Sequence, residues 1–139
     1  MLTTSVSDVM QRDLVTLHEQ ENLDLAFTLM QLARIRHLPV IREEKLVGLI
    51  SHRGLLHASV SPLEHLTPQQ EAAFRRSILV SEVMKRDLQT VTPATTLLEA
   101  AKMMLIQKLG CLPVEQHGEL VGILTEADFL RLMLESLQR

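Results

Sequence analysis

Aromatic side chains are nearly missing from this chain, which has no Trp, no Tyr and only Phe27, Phe74 and Phe129 in 139 residues. That removes the stacking platforms on which single-stranded nucleic acids are held. Any base bound here is expected to lie between aliphatic side chains. A cationic excess is missing too: the formal net charge is −3, so no global pull toward phosphate backbones exists and nucleic acid is not an expected partner. Cysteine occurs once, at Cys111, and cannot form an internal disulfide. The stretch from Met1 to Met10 lacks the basic and then apolar pattern of a secretory signal, and a cytoplasmic location is expected. No apolar run is long enough to cross a bilayer. What remains, 46% hydrophobic and 22% charged, is the composition of a water-soluble fold, and a chain of this length buries roughly two thirds of its unfolded surface.

The groupings that catalysis requires are also lacking. No nucleophile with an evident base, no paired carboxylates and no metal-ligand cluster stand out. His52 and His57 are five apart, off the four-residue spacing that puts two ligands on one helix face. Cys111 precedes an apolar strand and reads as a small core residue, and Met103 and Met104 as helix core. The expectation is no catalytic residue, no metal and no required cofactor.

What the chain does have is an internal repeat. The segment Val6-Ser7-Asp8-Val9-Met10 returns as Val80-Ser81-Glu82-Val83-Met84, 74 positions on. The same offset carries Leu38-Pro39-Val40 onto Leu112-Pro113-Val114 and Leu46-Val47-Gly48 onto Leu120-Val121-Gly122. Three separated blocks kept in phase mark a duplicated unit.

Punctuation and periodicity outline each copy. A short extended piece, residues 14–17 or 88–91, leads to a helix capped by Asn22 in the first copy and by Thr96 with Glu99 in the second. Leu23, Ala26, Phe27 and Met30, or Leu97, Ala100, Ala101 and Met104, recur at helical spacing, and burial on two sides is expected. Two apolar runs follow as a hairpin, turning at Glu43-Glu44 or at His117-Gly118. A last helix is expected to bury Leu55 and Leu56, or Phe129, Leu130, Met133 and Leu134. Residues 59–79 lack a counterpart. Their Ser61-Pro62 pair marks a turn, and Thr67 with Pro68 at the first position starts a linker helix, read as a surface connector or, alternatively, a partner-docking element. The division is 1–58, 59–79 and 80–139.

Two copies of Val-Ser-acid-Val-Met, a Leu-Pro-Val strand, and Gly-Leu-Ile-Ser or Gly-Ile-Leu-Thr opening a helix resemble a tandem pair of CBS domains, a Bateman module. The resemblance covers nearly the whole chain apart from the insert. It implies an α+β fold with two β-α-β-β-α repeats packed as a pseudo-twofold pair, further assembly into a homodimer, and clefts for AMP, ADP, ATP, S-adenosylmethionine or a related adenosyl compound. It also implies a regulatory function exerted on a separate protein target that the sequence does not name.

The family's ligand signature is Gly, two aliphatics, Thr or Ser, two variable residues, then Asp. The second copy supplies it as Gly122-Ile123-Leu124-Thr125-Glu126-Ala127-Asp128. A carboxylate at a helix start can accept both vicinal hydroxyls of a ribose, and Thr125 adds a hydroxyl contact; the same pair also suffices as a helix cap that holds no ligand. The first copy has Gly54 where Asp is expected, so one good site is anticipated. By the resemblance, the adenine slot of the Asp128 site draws on Leu14, Val15, Thr16, His37 and Leu38, and Arg36, His37 and Ser51 face phosphates; a plain strand-entry role for Arg36 and His37 is the alternative. Two rival readings are a ligand-free dimerisation or interaction module, which Gly54 favours, and RNA binding, which the acidic balance opposes.

Overall fold

The computed structural model describes residues 3–59 and 65–139, so the expected Ser61-Pro62 turn lies outside the described residues. Two compact units result, and neither is a continuous repeat. One is Val15–Leu88; the other joins the segment ending at Leu14 to Gln89–Arg139. The leading segment of each sequence repeat therefore belongs to the unit built by the other repeat's hairpin.

In the continuous unit, β1 (Leu17–His18) pairs parallel with β2 (His37–Arg42), which pairs antiparallel with β3 (Lys45–Ser51). β1 is shorter and later than the extended piece expected over 14–17, because the chain turns at once: the Gln20 amide donates to His18 Nδ1 at 3.2 Å. Between β1 and β2, α1 (Leu23–Ala33) begins at Asn22, whose side chain accepts the Leu25 amide at 3.1 Å. The β2–β3 turn places Glu43 and Glu44 at φ of 50° and 68°, the twist that a two-residue hairpin demands. α2 (His52–Ala58) follows β3 directly, and α3 (Pro68–Arg76) is the expected linker helix, with Thr67 capping it and Pro68 in its first turn. α3 docks on α1 through Arg75, whose Nε donates to Asp24 Oδ1 at 3.0 Å while its guanidinium lies 4.0 Å from the Phe27 ring centroid. The segment α4 (Val80–Val83) then lies with this unit: Val80 and Met84 join Leu17, Leu23, Ala26, Met30, Leu38, Val40, Ile50 and Leu55 in its core.

The second unit repeats the plan. α5 (Leu97–Gln107) starts at Thr96, which accepts the Glu99 amide at 3.1 Å. β4 (Cys111–Gln116) and β5 (Glu119–Thr125) form its hairpin, turning at His117 and Gly118 with φ of 55° and 81°. The expected strand over 88–91 is reduced to a bridge from Val91 to Val114. α6 (Glu126–Leu137) closes the unit. Its core is made by Val6 and Met10 from the leading segment with Val91, Leu97, Ala100, Met104, Leu112, Val114 and Leu124. Gln11 fastens that segment to β5 by exchanging backbone hydrogen bonds with Ile123 at 2.9 and 3.0 Å.

Three burial expectations need correction. Leu55 is buried but Leu56 is exposed. On α6 the inward positions are Asp128, Phe129 and Leu132, while Leu130, Met133 and Leu134 face outward. The polar Asp128 takes a buried place in the helix, and this fixes a rotation that the apolar pattern alone does not indicate. Helix α5 buries one face, with Leu105 and Ile106 exposed on the other, whereas α1 carries α3 beside its core-facing side and leaves Leu32 exposed.

Candidate functional site

The Asp128 carboxylate is the one buried polar side chain among the described residues, 1% exposed. Its place follows from local sequence. β5 ends at Thr125 in extended backbone, α6 starts at Glu126, and the third helical residue points back at the cap. Asp128 Oδ2 accepts the Thr125 amide at 2.8 Å and the Thr125 hydroxyl at 3.4 Å. Oδ1 accepts Gln11 Nε2 at 2.7 Å and an Arg131 guanidinium N–H at 2.8 Å. Burial of the charge is thus balanced by donors on both oxygens, as an interior carboxylate requires. Neither Gln11 nor Arg131 stood out in the sequence. Arg131, three residues beyond Asp128 on the same helix, was legible as a neighbour; Gln11, 117 positions away, had no local signal.

At the corresponding place in the other unit, Ser51 caps α2 by accepting the Gly54 amide at 2.9 Å. Gly54 brings no carboxylate. His37 pairs with Ser51 across the hairpin, and the Arg36 carbonyl accepts the His52 amide at 2.7 Å. Arg36, Arg34 and His52, with Met30, Gln31 and Ile35, line a pocket of about 340 Å³, so the structure brings Arg36, His37 and Ser51 to one end of one hairpin. Leu38 is fully buried in the core, which leaves only its backbone to offer a ligand. Val15 and Thr16 are half-buried in this unit. Thr125, Asp128 and Leu14 belong to the other.

A second, apolar groove of about 570 Å³ lies between α5 and α6, lined by Ala101, Met104, Leu105, Leu109, Phe129, Leu130 and Met133 with Lys108 and Glu126. Among the described residues no group of three His, Cys, Asp or Glu side chains is placed to hold a metal ion, and no helix is long and apolar enough to cross a membrane. Cys111 is buried at the start of β4.

The family model for the CBS domain matches residues 6–61 and again residues 80–135. The chain belongs to the CBS domain family. The two CBS matches start at Val6 and Val80, where the repeated sequence blocks start, whereas the compact units exchange their leading segments. A CBS domain-containing protein of Dictyostelium discoideum is 31% identical over 135 residues, covering 96% of this chain and 93% of that protein. Among solved structures, AcuB of Vibrio cholerae, a protein assigned to acetoin utilization, is 35% identical with a TM-score of 0.82, covering 99% of this chain and 95% of that one. CBSX2 of Arabidopsis thaliana, solved in complex with AMP, is 28% identical with a TM-score of 0.80 and covers 98% and 99%. CBS pairs also occur within larger proteins: an inosine-5′-monophosphate dehydrogenase of Korarchaeum cryptofilum is 34% identical over 118 residues, which make up 84% of this chain and 22% of that enzyme.

Proposed function

We propose that this CBS pair is a non-catalytic regulatory module that binds an adenosine-containing ligand through Asp128 and transmits its occupancy to a protein partner. The observation that carries the reading is the Asp128 carboxylate at the start of α6, within Gly122-Ile123-Leu124-Thr125 and two further residues. The AMP complex of CBSX2, a full-length structural relative, supports the choice of ligand class. The ribose diol donates to Asp128, and Thr125 flanks it. Arg36, with His37 and Ser51, offers positive charge and a hydroxyl suited to phosphate in its own unit. The lack of Asp at Gly54 makes the second-repeat signature the working one.

Self-association is part of the proposal. Leu105, Leu130 and Met133 on α5 and α6 are 81%, 60% and 56% exposed, an apolar face that water disfavours. Lys108 and Glu126 border the same groove with opposite charges, so a second copy meets it with complementary sign across a two-fold axis. Leu105→Glu is expected to shift the sedimentation coefficient to that of a monomer.

Calorimetric titration with AMP, ADP, ATP, S-adenosylmethionine and NAD tests the ligand reading, with Asp128→Ala and Asp128→Asn beside the wild type and circular dichroism to check folding. Saturable heat near one site per chain for an adenosyl ligand, lost in both folded variants, supports it. Absence of saturable heat with all five overturns it and leaves Asp128 a helix cap.

A further inference from the structure

We propose that Gln11 is a built-in competitor for the ligand's ribose at Asp128, so that adenosyl affinity is set by a donor the protein itself carries. This rests on the ribose reading above.

A carboxylate presents two oxygens with about four acceptor sites. At Asp128 all are taken: the Thr125 amide and hydroxyl on Oδ2, Gln11 and Arg131 on Oδ1. A diol that binds this group must displace a donor. The Thr125 amide is fixed by the β5–α6 junction, and the Thr125 hydroxyl, held at only 3.4 Å, vacates one acceptor site on Oδ2 where a diol needs two. Arg131 is charged and sits one turn along on α6, where its attraction to the carboxylate is strongest to lose. Gln11 is neutral and exposed, and it reaches in from a segment whose backbone is already pinned to β5 by its two bonds with Ile123. Only its side-chain torsions need change for it to leave, and its amide is satisfied by water outside. Gln11 is therefore the donor that yields, and the free energy a ribose gains at Asp128 is the difference between its own hydrogen bonds and the one Gln11 gives up.

The equivalent pair in the other unit is Lys85 and Gly54, which hold no acceptor to compete for. The device is confined to the unit with the carboxylate.

The test is titration of wild type and Gln11→Ala with AMP and with 2′,3′-dideoxyadenosine monophosphate, which offers Asp128 no hydroxyl. Removal of the competitor is expected to tighten AMP by about threefold to tenfold and to leave the dideoxy ligand unchanged. In the wild type, AMP is expected to move the Gln11 side-chain amide pair in 15N–1H spectra toward water-exposed positions, and the dideoxy ligand is not. Equal AMP affinity in both proteins, or an equal gain for both ligands, overturns the competitor while the ribose reading stands. If neither protein binds AMP at millimolar concentration, the ribose reading falls and takes the competitor with it.

Discussion

Gly122 and Met10 meet with no room for a side chain between them: a Cβ on Gly122 would lie 2.5 Å from Met10 Sδ and 3.1 Å from the Gln11 carbonyl oxygen. The glycine of the signature is thus required by the leading segment that crosses β5. Gly122→Ala is expected to destabilise the protein by about 1–3 kcal/mol, since the thioether can move but the backbone oxygen cannot. Urea unfolding checks this, and an unchanged midpoint would refute it.

The two repeats start their last helices differently, and the cost of losing each cap should differ with it. Asp128→Ala deprives Gln11, Arg131 and Thr125 of a shared acceptor and is expected to cost about 2–3 kcal/mol. Ser51→Ala loses one capping bond from the Gly54 amide and is expected to cost about 1 kcal/mol. Thermal unfolding of the two variants without ligand gives the comparison; equal shifts would show that the carboxylate adds nothing beyond a cap.

Arg75 holds α3 on α1 by an ion pair and a ring contact together. Its side chain is largely buried, so both act with reduced solvent screening. Arg75→Ala is expected to raise amide exchange across α3 by about tenfold, a loss on the order of 1.4 kcal/mol. A double-mutant cycle with Phe27→Leu should leave a coupling of about 0.5–1 kcal/mol. Additive effects would show that the ring plays no part.

Among the described residues, hydrogen bonds made on folding hold the carboxyl groups of Asp8 and Glu19 below their usual range. For Asp8 the donors are the Ser5 backbone N–H and then its hydroxyl, and for Glu19 the hydrogen bonds come from Arg42. Groups depressed by folding stabilise fully above the unfolded carboxylate range and lose that contribution as pH falls through their lower folded values. Stability is therefore expected to hold from neutrality to about pH 5 and to decline below about pH 4. Asp8→Asn and Glu19→Gln should each flatten that decline in acid titrations followed by circular dichroism; parallel curves would count against these two groups.

Features encoded within a few residues were legible in the sequence. Asn22, Thr67 and Thr96 cap the helices they announce, and the hairpins turn at Glu43-Glu44 and His117-Gly118, because caps and tight turns are settled by local chemistry. The rotation of α6 was not legible. It depends on a buried carboxylate whose donors come from Thr125, Arg131 and the distant Gln11, and an apolar-periodicity argument assigns such a residue to water. Nor was it legible which hairpin each leading segment packs against, since Val6 to Met10 and Val80 to Met84 carry nearly the same residues. The choice is made by long-range pairs such as Gln11 with Ile123 and Lys85 with Leu49.

That exchange dictates an order of assembly on the ribosome. Val15–Leu88 is contiguous, so it can close as soon as it has emerged. The segment before it must wait until β5 has been made, because Val6 and Met10 have their core partners there. A nascent chain halted near Leu88 therefore carries one contiguous unit and a leading segment whose strand has not yet been made, and a break anywhere between residues 6 and 11 strikes a unit whose hairpin is synthesised long after it.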